Sequence, residues 1–225
     1  MKIPAPLHRW SLKPKTAIRL QRRLAALVRV ERLRRPVRWI AGVDVAFSSD
    51  GTRCVAGVVV YEPTTGQTIE TRSAVRPVRF PYIPGLLSFR EAPATLAVLR
   101  KLDCEPDLLM FDAQGIAHPR RLGLASHIGI LVGRPSIGCA KSRLCGSHEP
   151  PPAHRGRFVT LYDDTEIIGA VLRTRTGVKP LFVSIGHRVT LDDAVKWVMA
   201  CVDRYRLPEP TRLAHLLVTR QRKAL

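Results

Sequence analysis

The stretch Arg38-Trp-Ile-Ala-Gly-Val-Asp-Val-Ala-Phe-Ser-Ser-Asp-Gly-Thr-Arg-Cys-Val-Ala-Gly-Val-Val-Val-Tyr-Glu-Pro-Thr-Thr-Gly66 decides the fold of this chain. Its two apolar runs, 38–47 and 53–62, are separated by Ser-Ser-Asp-Gly, and Pro-Thr-Thr-Gly follows the second run. Valine-rich runs bounded by such turn residues are typical of β-strands. With a third strand-like run at 67–78, the short turns predict an antiparallel meander.

The pattern changes after residue 88. A helix over 93–102, a strand over 108–112, a helix over 119–132 and a strand over 136–140 alternate as in βαβ units, whose strands run parallel. Strands over 157–162, 167–173 and 181–185 and helices over 191–205 and 211–221 follow, and 145–156 is expected to be a loop. A basic amphipathic helix over 14–35 precedes the meander. We therefore expect a single α/β domain over residues 1–225, with a mixed sheet and helices on both faces.

The charge of the chain is strongly basic. Thirty-seven Lys and Arg against eighteen Asp and Glu give a net charge of +19, and within residues 1–40 the only acid is Glu31. Such a field attracts the phosphates of nucleic acid or an anionic membrane. No apolar run approaches the roughly 20 residues that span a bilayer, and no secretory signal is apparent. Five cysteines without a CxxC pair indicate reduced thiols and no zinc site, so we expect a cytoplasmic monomer without a membrane partner.

Two carboxylates lie in or at the end of apolar strands. Asp44 sits within the first strand, and Asp112 ends the run Leu108-Leu-Met-Phe111. A buried ionised carboxylate is costly unless it is paired or bound to metal. If the two strands are neighbours, the carboxylates lie roughly 5 Å apart, and Mg²⁺, with Mn²⁺ as a substitute, suits such oxygen ligands. The alternative for Asp44 is a salt bridge to one of the many arginines.

Glu91 has two interpretations. It is a candidate third carboxylate of the metal site, but Ser88-x-x-Glu91 also has the spacing of a helix capping box. With Ser88 as the cap, Pro93 would be the fifth helical residue and would remove a backbone hydrogen bond. That position of the proline favours membership of the metal site.

Basic residues are expected at the same edge of the sheet. His118 precedes Pro119 and is therefore biased towards an extended conformation at a helix start. Arg120 and Arg121 would then occupy the first turn, where the helix dipole favours phosphate. Lys141 follows the strand 136–140, which would place an ammonium beside a scissile phosphate, although a lone lysine is more often a solvated surface residue. Acids gathered within a basic chain point to metal-assisted chemistry on a polyanion, hence to a nuclease.

Six segments together resemble the endonuclease V family. They are Gly42–Phe47, Pro81–Glu91, Phe111–Arg121, Ser136–Lys141, Ile185–Arg188 and Pro208–His215. The resemblance spans roughly residues 15–220 and implies a ribonuclease H-like fold. It implies as partners DNA that contains deoxyinosine and, for some members, inosine in RNA.

The resemblance also implies roles by position. The implied metal ligands are Asp44, Glu91 and Asp112, with His215 near the metal, and His118 and Lys141 would lie beside the scissile phosphate. The remaining implied groups are a strand-separating wedge at Tyr82 with Pro81, Ile83 and Pro84, a base pocket of Gly85, Leu87, Ala113, Gly115 and Leu124, and phosphate contacts from Arg120 and Arg121. The family commonly has glycine where this chain has Ala113, so the methyl group is expected to narrow or tilt the base pocket.

The expected activity is a metal-dependent nick on the 3′ side of a deaminated adenine, in DNA repair, and the resemblance implies that the second phosphodiester bond is cut. The products would carry 3′-hydroxyl and 5′-phosphate ends. Two rivals remain open at this stage: another ribonuclease H-like nuclease such as a Holliday-junction resolvase, which has no use for Tyr82, and a non-catalytic nucleic-acid-binding module.

Overall fold

The computed structural model describes all 225 residues and contains eight strands and five helices. The strands are β1 Ile40–Phe47, β2 Arg53–Glu62, β3 Gln67–Pro77, β4 Leu108–Phe111, β5 Ser136–Ala140, β6 Phe158–Asp163, β7 Glu166–Leu172 and β8 Leu181–His187. The helices are α1 Pro14–Ala25, α2 Leu87–Leu99, α3 Leu124–Val132, α4 Leu191–Ala200 and α5 Glu209–Arg222. Every predicted strand is confirmed, with ends that shift by at most two residues. No helix is both long enough and apolar enough to cross a membrane.

All eight strands form one sheet in the order β3-β2-β1-β4-β5-β8-β7-β6. The β1–β2 and β2–β3 pairs are antiparallel, which confirms the meander, whereas β1–β4 and β4–β5 are parallel, which confirms the βαβ units. The remaining pairs are antiparallel. The expected ribonuclease H-like mixed sheet is therefore present, with β1 and β4 side by side near its centre.

Helices cover both faces of the sheet. Side chains alternate along β4, so Leu109 and Phe111 pack in one cluster with residues of α2 and α3, while Leu108 and Met110 pack in another with residues of α4. This even burial on both faces explains why the strand is a continuous apolar run. Helix α5 lies across β1 and β2, where Gly57 contacts Val218.

The predicted helix over 14–35 is wrong in its second half. Helix α1 buries Leu20 and Leu24 but ends at Ala25, and Leu27 beyond it is 49% exposed. The following segment is held by tertiary hydrogen bonds instead: the Arg188 amide donates to the Arg29 carbonyl at 2.7 Å. Those contacts with the end of β8 replace the helical pattern that sequence periodicity predicted.

Other helix boundaries also differ from the prediction. Helix α2 begins at Leu87 rather than 93 and keeps Pro93 in its interior, because the buried apolar face of the helix outweighs the lost hydrogen bond. Helix α3 begins at Leu124 rather than 119, and α4 ends at Ala200 rather than 205. The segment between β4 and α3 is therefore a loop, which moves several candidate residues off the helix where they were expected.

Candidate active site

The register of the sheet brings Asp44 and Asp112 together. Val43 of β1 pairs with Phe111 of β4 in the parallel ladder, so the residues that follow them lie at the same level. Both carboxylates are largely withdrawn from solvent, with side chains 16% and 9% exposed. The condition for adjacency of the two acids, that β1 and β4 be neighbouring strands, is therefore met.

Helix α5 adds His215 to this pair. Gly42 lies two residues before Asp44 on the same face of β1, and a side chain there would collide with the backbone of Pro210. The absence of that side chain lets the start of α5 rest directly on the strand. His215 then lies over Asp44, with its Nδ1 atom 2.8 Å from the Asp44 Oδ2 atom.

The ligand atoms of Asp44, Asp112 and His215 all lie within 4.8 Å of one another. Burial, together with the charge of Asp112, raises the pKa of Asp44, although the hydrogen bond with His215 opposes that rise. Two carboxylates and an imidazole at this spacing fit a divalent cation, which would relieve the repulsion between the acids.

Glu91 lies beside this cluster but outside the group of three. Burial, then the charges of Asp44 and Asp112, raise the pKa of Glu91 to about 8. The capping alternative is wrong, because the helix cap is Leu86 and Ser88 is already inside α2. The Ser88 hydroxyl is hydrogen-bonded to His127 instead.

Replacing Glu91 by glutamine is expected to stabilise the metal-free protein. The folded-state pKa of about 8 lies above the usual 4.5, so the ionised form costs stability as the pH rises from 4.5 towards 8. If the substitution removes about 1 kcal/mol of this destabilisation, the Tm should rise by about 2–4 °C for a domain of this size. Thermal unfolding with a chelator should show a larger gain at pH 8 than at pH 5. Exposed Glu149→Gln is the control, and a lower Tm at pH 8 would show that the carboxylate stabilises the fold.

Lys141 also reaches the cluster. It directly follows β5, the neighbour of β4, and its Nζ atom forms a salt bridge with the Asp112 Oδ2 atom. The lysine side chain remains 42% exposed, so the ammonium stands between the carboxylates and solvent. The sequence-based expectation that Lys141 lies at the same sheet edge as Asp112 is confirmed.

The residues that line a cavity of about 190 Å³ flank two of the carboxylates in sequence, since Ser88 precedes Glu91 by three residues and Ala113 follows Asp112. Its wall contains four of the five predicted pocket residues and most of the predicted wedge, namely Gly85, Leu87, Ala113, Leu124, Tyr82, Ile83 and Pro84. Gly115 is not part of the wall, because it packs against the backbone of Ile185. Ala113 connects the two features directly, since it follows Asp112.

His118 lies in the wall of this cavity, where both ring nitrogens are engaged. The Arg120 amide donates to His118 Nδ1 at 3.1 Å, so the proton resides on Nε2, which lies 3.0 Å from the Gly85 carbonyl oxygen. Burial and the nearby Arg120 lower the pKa of His118 to about 4. At neutral pH the imidazole is therefore uncharged, and it holds the Gly85 carbonyl in place.

The two arginines after His118 differ from the prediction in placement. Neither lies in the first turn of a helix, because α3 starts only at Leu124. Arg120 donates to the Gly85 carbonyl at 2.7 Å and so fixes the cavity loop. Arg121 has a left-handed backbone (φ 54°) and forms salt bridges with Asp163 and Glu166.

Tyr82 projects from the rim of the cavity. The side chain is 72% exposed, the largest exposure among the bulky apolar residues. Pro81 on one side and Pro84 on the other restrict the backbone around it. An exposed ring on a stiffened loop beside a cavity is suited to stacking on a flat partner.

Sequence reasoning missed two glutamines of the cavity wall. Gln21, on α1, donates to the carbonyl groups of Gly85 (3.1 Å) and Leu122 (2.7 Å). Gln114 donates to the Ser142 carbonyl at 2.9 Å, and its buried Oε1 atom has no partner. Gln114 could have been noticed as a polar residue within the quoted segment 111–121, whereas nothing in the sequence links Gln21 to this loop.

Comparison with known proteins agrees with this geometry. Residues 22–216 match the profile of the family described as Endonuclease V. An endonuclease V from Roseiflexus castenholzii is 49% identical over 219 residues, which cover 97% of this chain and 98% of that protein. The crystal structure of endonuclease V from Streptomyces avermitilis superposes with a TM-score of 0.91 at 43% identity, covering 99% of this chain and 97% of that one.

A further solved structure contains nucleic acid. Endonuclease V from Ciona intestinalis, in complex with a 24mer DNA containing an inosine followed by a ribo-adenosine, has a TM-score of 0.78 at 25% identity. The similarity covers 92% of this chain and 96% of that one. The chain described here belongs to the endonuclease V family and is a nuclease.

Proposed function

We propose that this protein is a metal-dependent endonuclease that recognises deoxyinosine in DNA, and inosine in RNA as a second substrate, and nicks the strand at the second phosphodiester bond 3′ to the lesion. The proposal includes a role in DNA repair and action as a cytoplasmic monomer with one catalytic domain over residues 1–225. The observation that carries it is the direct connection between the carboxylate cluster and a base-sized cavity through Asp112 and Ala113.

The chemistry of the cluster supports a role for Mg²⁺ or Mn²⁺. In the proposal, Asp44 and Asp112 are ligands, with Glu91 and His215 completing the site. Bound by these residues, Mg²⁺ or Mn²⁺ would supply polarisation of the scissile phosphate and a lowered pKa of water. Lys141, free to solvent on one side, stabilises negative charge that builds on the phosphate.

The cavity wall offers both hydrogen-bond donors and a hydrogen-bond acceptor to an extruded base. Helix α2 begins at the cavity, and the first amides of a helix, here those of Leu87 and Ser88, have no intrahelical acceptor. These donors suit the carbonyl oxygen of hypoxanthine, while the unpartnered Gln114 Oε1 atom is a buried acceptor. Reading a base in this way requires that it be rotated out of the stack.

The spacing of the two features supports a nick displaced from the lesion. Ser88 of the cavity wall and Glu91 of the carboxylate group are one helical turn apart on α2, a rise of roughly 5 Å. Successive phosphates of a strand are roughly 3.4 Å apart along B-DNA. This offset supports the proposal that the phosphate at the carboxylates belongs to a neighbouring nucleotide rather than to the extruded one.

The test is cleavage of a labelled duplex with a single deoxyinosine, with and without Mg²⁺. We expect one nick on the 3′ side, with 3′-hydroxyl and 5′-phosphate ends and with the lesion retained in the upstream fragment. Matched adenine-containing DNA and inosine-containing RNA show the substrate range.

Three results would contradict the proposal. Release of free hypoxanthine before strand scission would indicate a glycosylase, and faster cleavage of four-way junctions than of inosine duplexes would indicate a resolvase. Binding of inosine DNA without any Mg²⁺-dependent nick would indicate a non-catalytic module.

A further inference from the structure

The segment that precedes α1 packs against the back of the cavity. His8 and Trp10 meet edge to face with ring centroids 4.5 Å apart, and Phe89 lies 5.2 Å from His127. His127 is fully buried in α3, and Ser88 is 2% exposed in α2. The aromatic rings thus enclose a short route from the protein surface at His8 to the cavity wall at Ser88.

A continuous chain of hydrogen bonds follows that route. The Ser88 Oγ atom lies 3.1 Å from His127 Nδ1, and His127 Nε2 lies 2.9 Å from His8 Nε2. At the outer end, His8 Nδ1 lies 2.9 Å from the carbonyl oxygen of Arg9. No member of the chain belongs to the carboxylate cluster.

The Arg9 carbonyl sets the direction of every bond in the chain. A carbonyl oxygen only accepts, so His8 Nδ1 carries a proton. Burial lowers the pKa of His127 to about 3 and also lowers the pKa of His8, so each ring is neutral and has one N–H. The bare His8 Nε2 must then accept from His127 Nε2, which leaves His127 Nδ1 to accept from the Ser88 hydroxyl.

We propose that this chain fixes Ser88 Oγ as a hydrogen-bond acceptor towards the base cavity and makes Ser88 a specificity-determining residue for bases with an N–H on their reading edge. Hypoxanthine carries a hydrogen at N1, whereas N1 of adenine is an acceptor. With its own hydrogen committed to His127, Ser88 favours the first base and opposes the second. His8 and His127 are positioning residues that act through Ser88.

Gln114 is the other acceptor in the wall, but it discriminates less well. Rotation of its amide by 180° exchanges the acceptor for a donor, so it can adapt to either base. Ser88 lacks that freedom. If its hydroxyl pointed to the cavity, the bond with His127 could be kept only if both imidazoles changed tautomer, and the Arg9 carbonyl would then lose its donor.

The tautomers themselves are measurable without any substrate. Long-range ¹H–¹⁵N correlation spectra of the full chain should show His8 in the Nδ1–H form and His127 in the Nε2–H form. The opposite tautomer at His127 would overturn the proposal, because Ser88 would then accept from the ring. The tautomers do not depend on the proposed nuclease function, whereas the role of Ser88 in base selection rests on it, so the two can fail separately.

Ser88→Ala tests the consequence for specificity. The substrates are duplexes with deoxyinosine or 1-deaza-2′-deoxyinosine, in which C–H replaces N1–H. We expect kcat/KM on deoxyinosine to fall about threefold to tenfold, the range for one lost hydrogen bond, with no change on the deaza substrate. Ser88→Thr should restore the activity, because it keeps the hydroxyl. Equal losses on both substrates would overturn the proposal.

Two further variants distinguish the proposed positioning of Ser88 from a general effect of altered packing. Thr95→Val removes another buried hydroxyl of α2, one that has no hydrogen-bond partner, and should leave both substrates unaffected. His8→Phe keeps a ring beside Trp10 but breaks the chain, so it should reproduce the loss seen with Ser88→Ala. The double variant His8→Phe/Ser88→Ala should lose no more activity than either single variant. Additive losses would show that His8 does not act through Ser88.

Discussion

Asp44→Asn and Asp112→Asn are each expected to abolish Mg²⁺-dependent cleavage while leaving the fold and the binding of inosine DNA largely intact. In metal sites, changes to groups that merely support a ligand already cost 10–100-fold, so loss of a proposed ligand should lower kcat by more than about 100-fold. The two carboxylates lie side by side in adjacent strands, and their ionic partners are Lys141 and His215 rather than an arginine. Their amide variants lose charge without losing volume.

Single-turnover cleavage with saturating enzyme isolates this effect from binding. Thermal unfolding without metal should show a stability close to that of the parent protein, because the relief of repulsion within the cluster offsets the weakened contacts of Asp44 with His215 and of Asp112 with Lys141. Asp103→Asn, a carboxylate on the surface paired with Arg72, serves as the matched control. Substantial Mg²⁺-dependent activity in either Asp44→Asn or Asp112→Asn would remove that residue from the metal site.

The topology was predictable because local signals decide it. Strands joined by short turns of Gly, Pro, Asp, Ser and Thr pair antiparallel. Two apolar strands joined by a helix run parallel. The adjacency of Asp44 and Asp112 requires in addition that β1 and β4 be neighbours, which the local signals left open and the sheet order shows. Strand β4 was predictable because its continuous apolar run is buried.

Helix boundaries were less predictable because tertiary contacts set them. The start of α2 lies within a segment whose prolines suggested a later start, yet burial of Phe89 and its neighbours extends the helix over Pro93. Beyond α1, hydrogen bonds with His187 and Arg188 hold an extended chain where the leucine spacing indicated helix. Both boundaries depend on tertiary contacts that the local sequence pattern does not show.

The site was predictable in its carboxylates but not in its supporting contacts. His215 joins Asp44 only because Gly42 lets α5 rest on β1, a contact between residues far apart in sequence. Arg121 looked like a phosphate ligand, but Asp163 and Glu166, which occupy it, come from a different part of the sheet. The sequence shows that Arg121 is charged, but only the fold shows that this charge is already paired within the protein.

Tyr82→Ala is expected to weaken action on duplex inosine DNA by one to two orders of magnitude and to affect single strands much less. Stacking of an aromatic side chain on a base contributes roughly 1–3 kcal/mol, and only a duplex needs its gap filled when a base is extruded. The ring is 72% exposed, so its removal should not change the Tm.

Affinity and kcat/KM measured on matched duplex and single-stranded substrates give the comparison. Tyr82→Phe should retain activity because it keeps the ring, and Tyr162→Ala, which removes another exposed tyrosine, should have no effect. Equal losses on duplex and single strand would mean that Tyr82 contributes to the shape of the cavity rather than to strand separation. The flanking prolines make the wedge interpretation the stronger one, because a ring used only to line a cavity would not need a stiffened loop that holds it out in solvent.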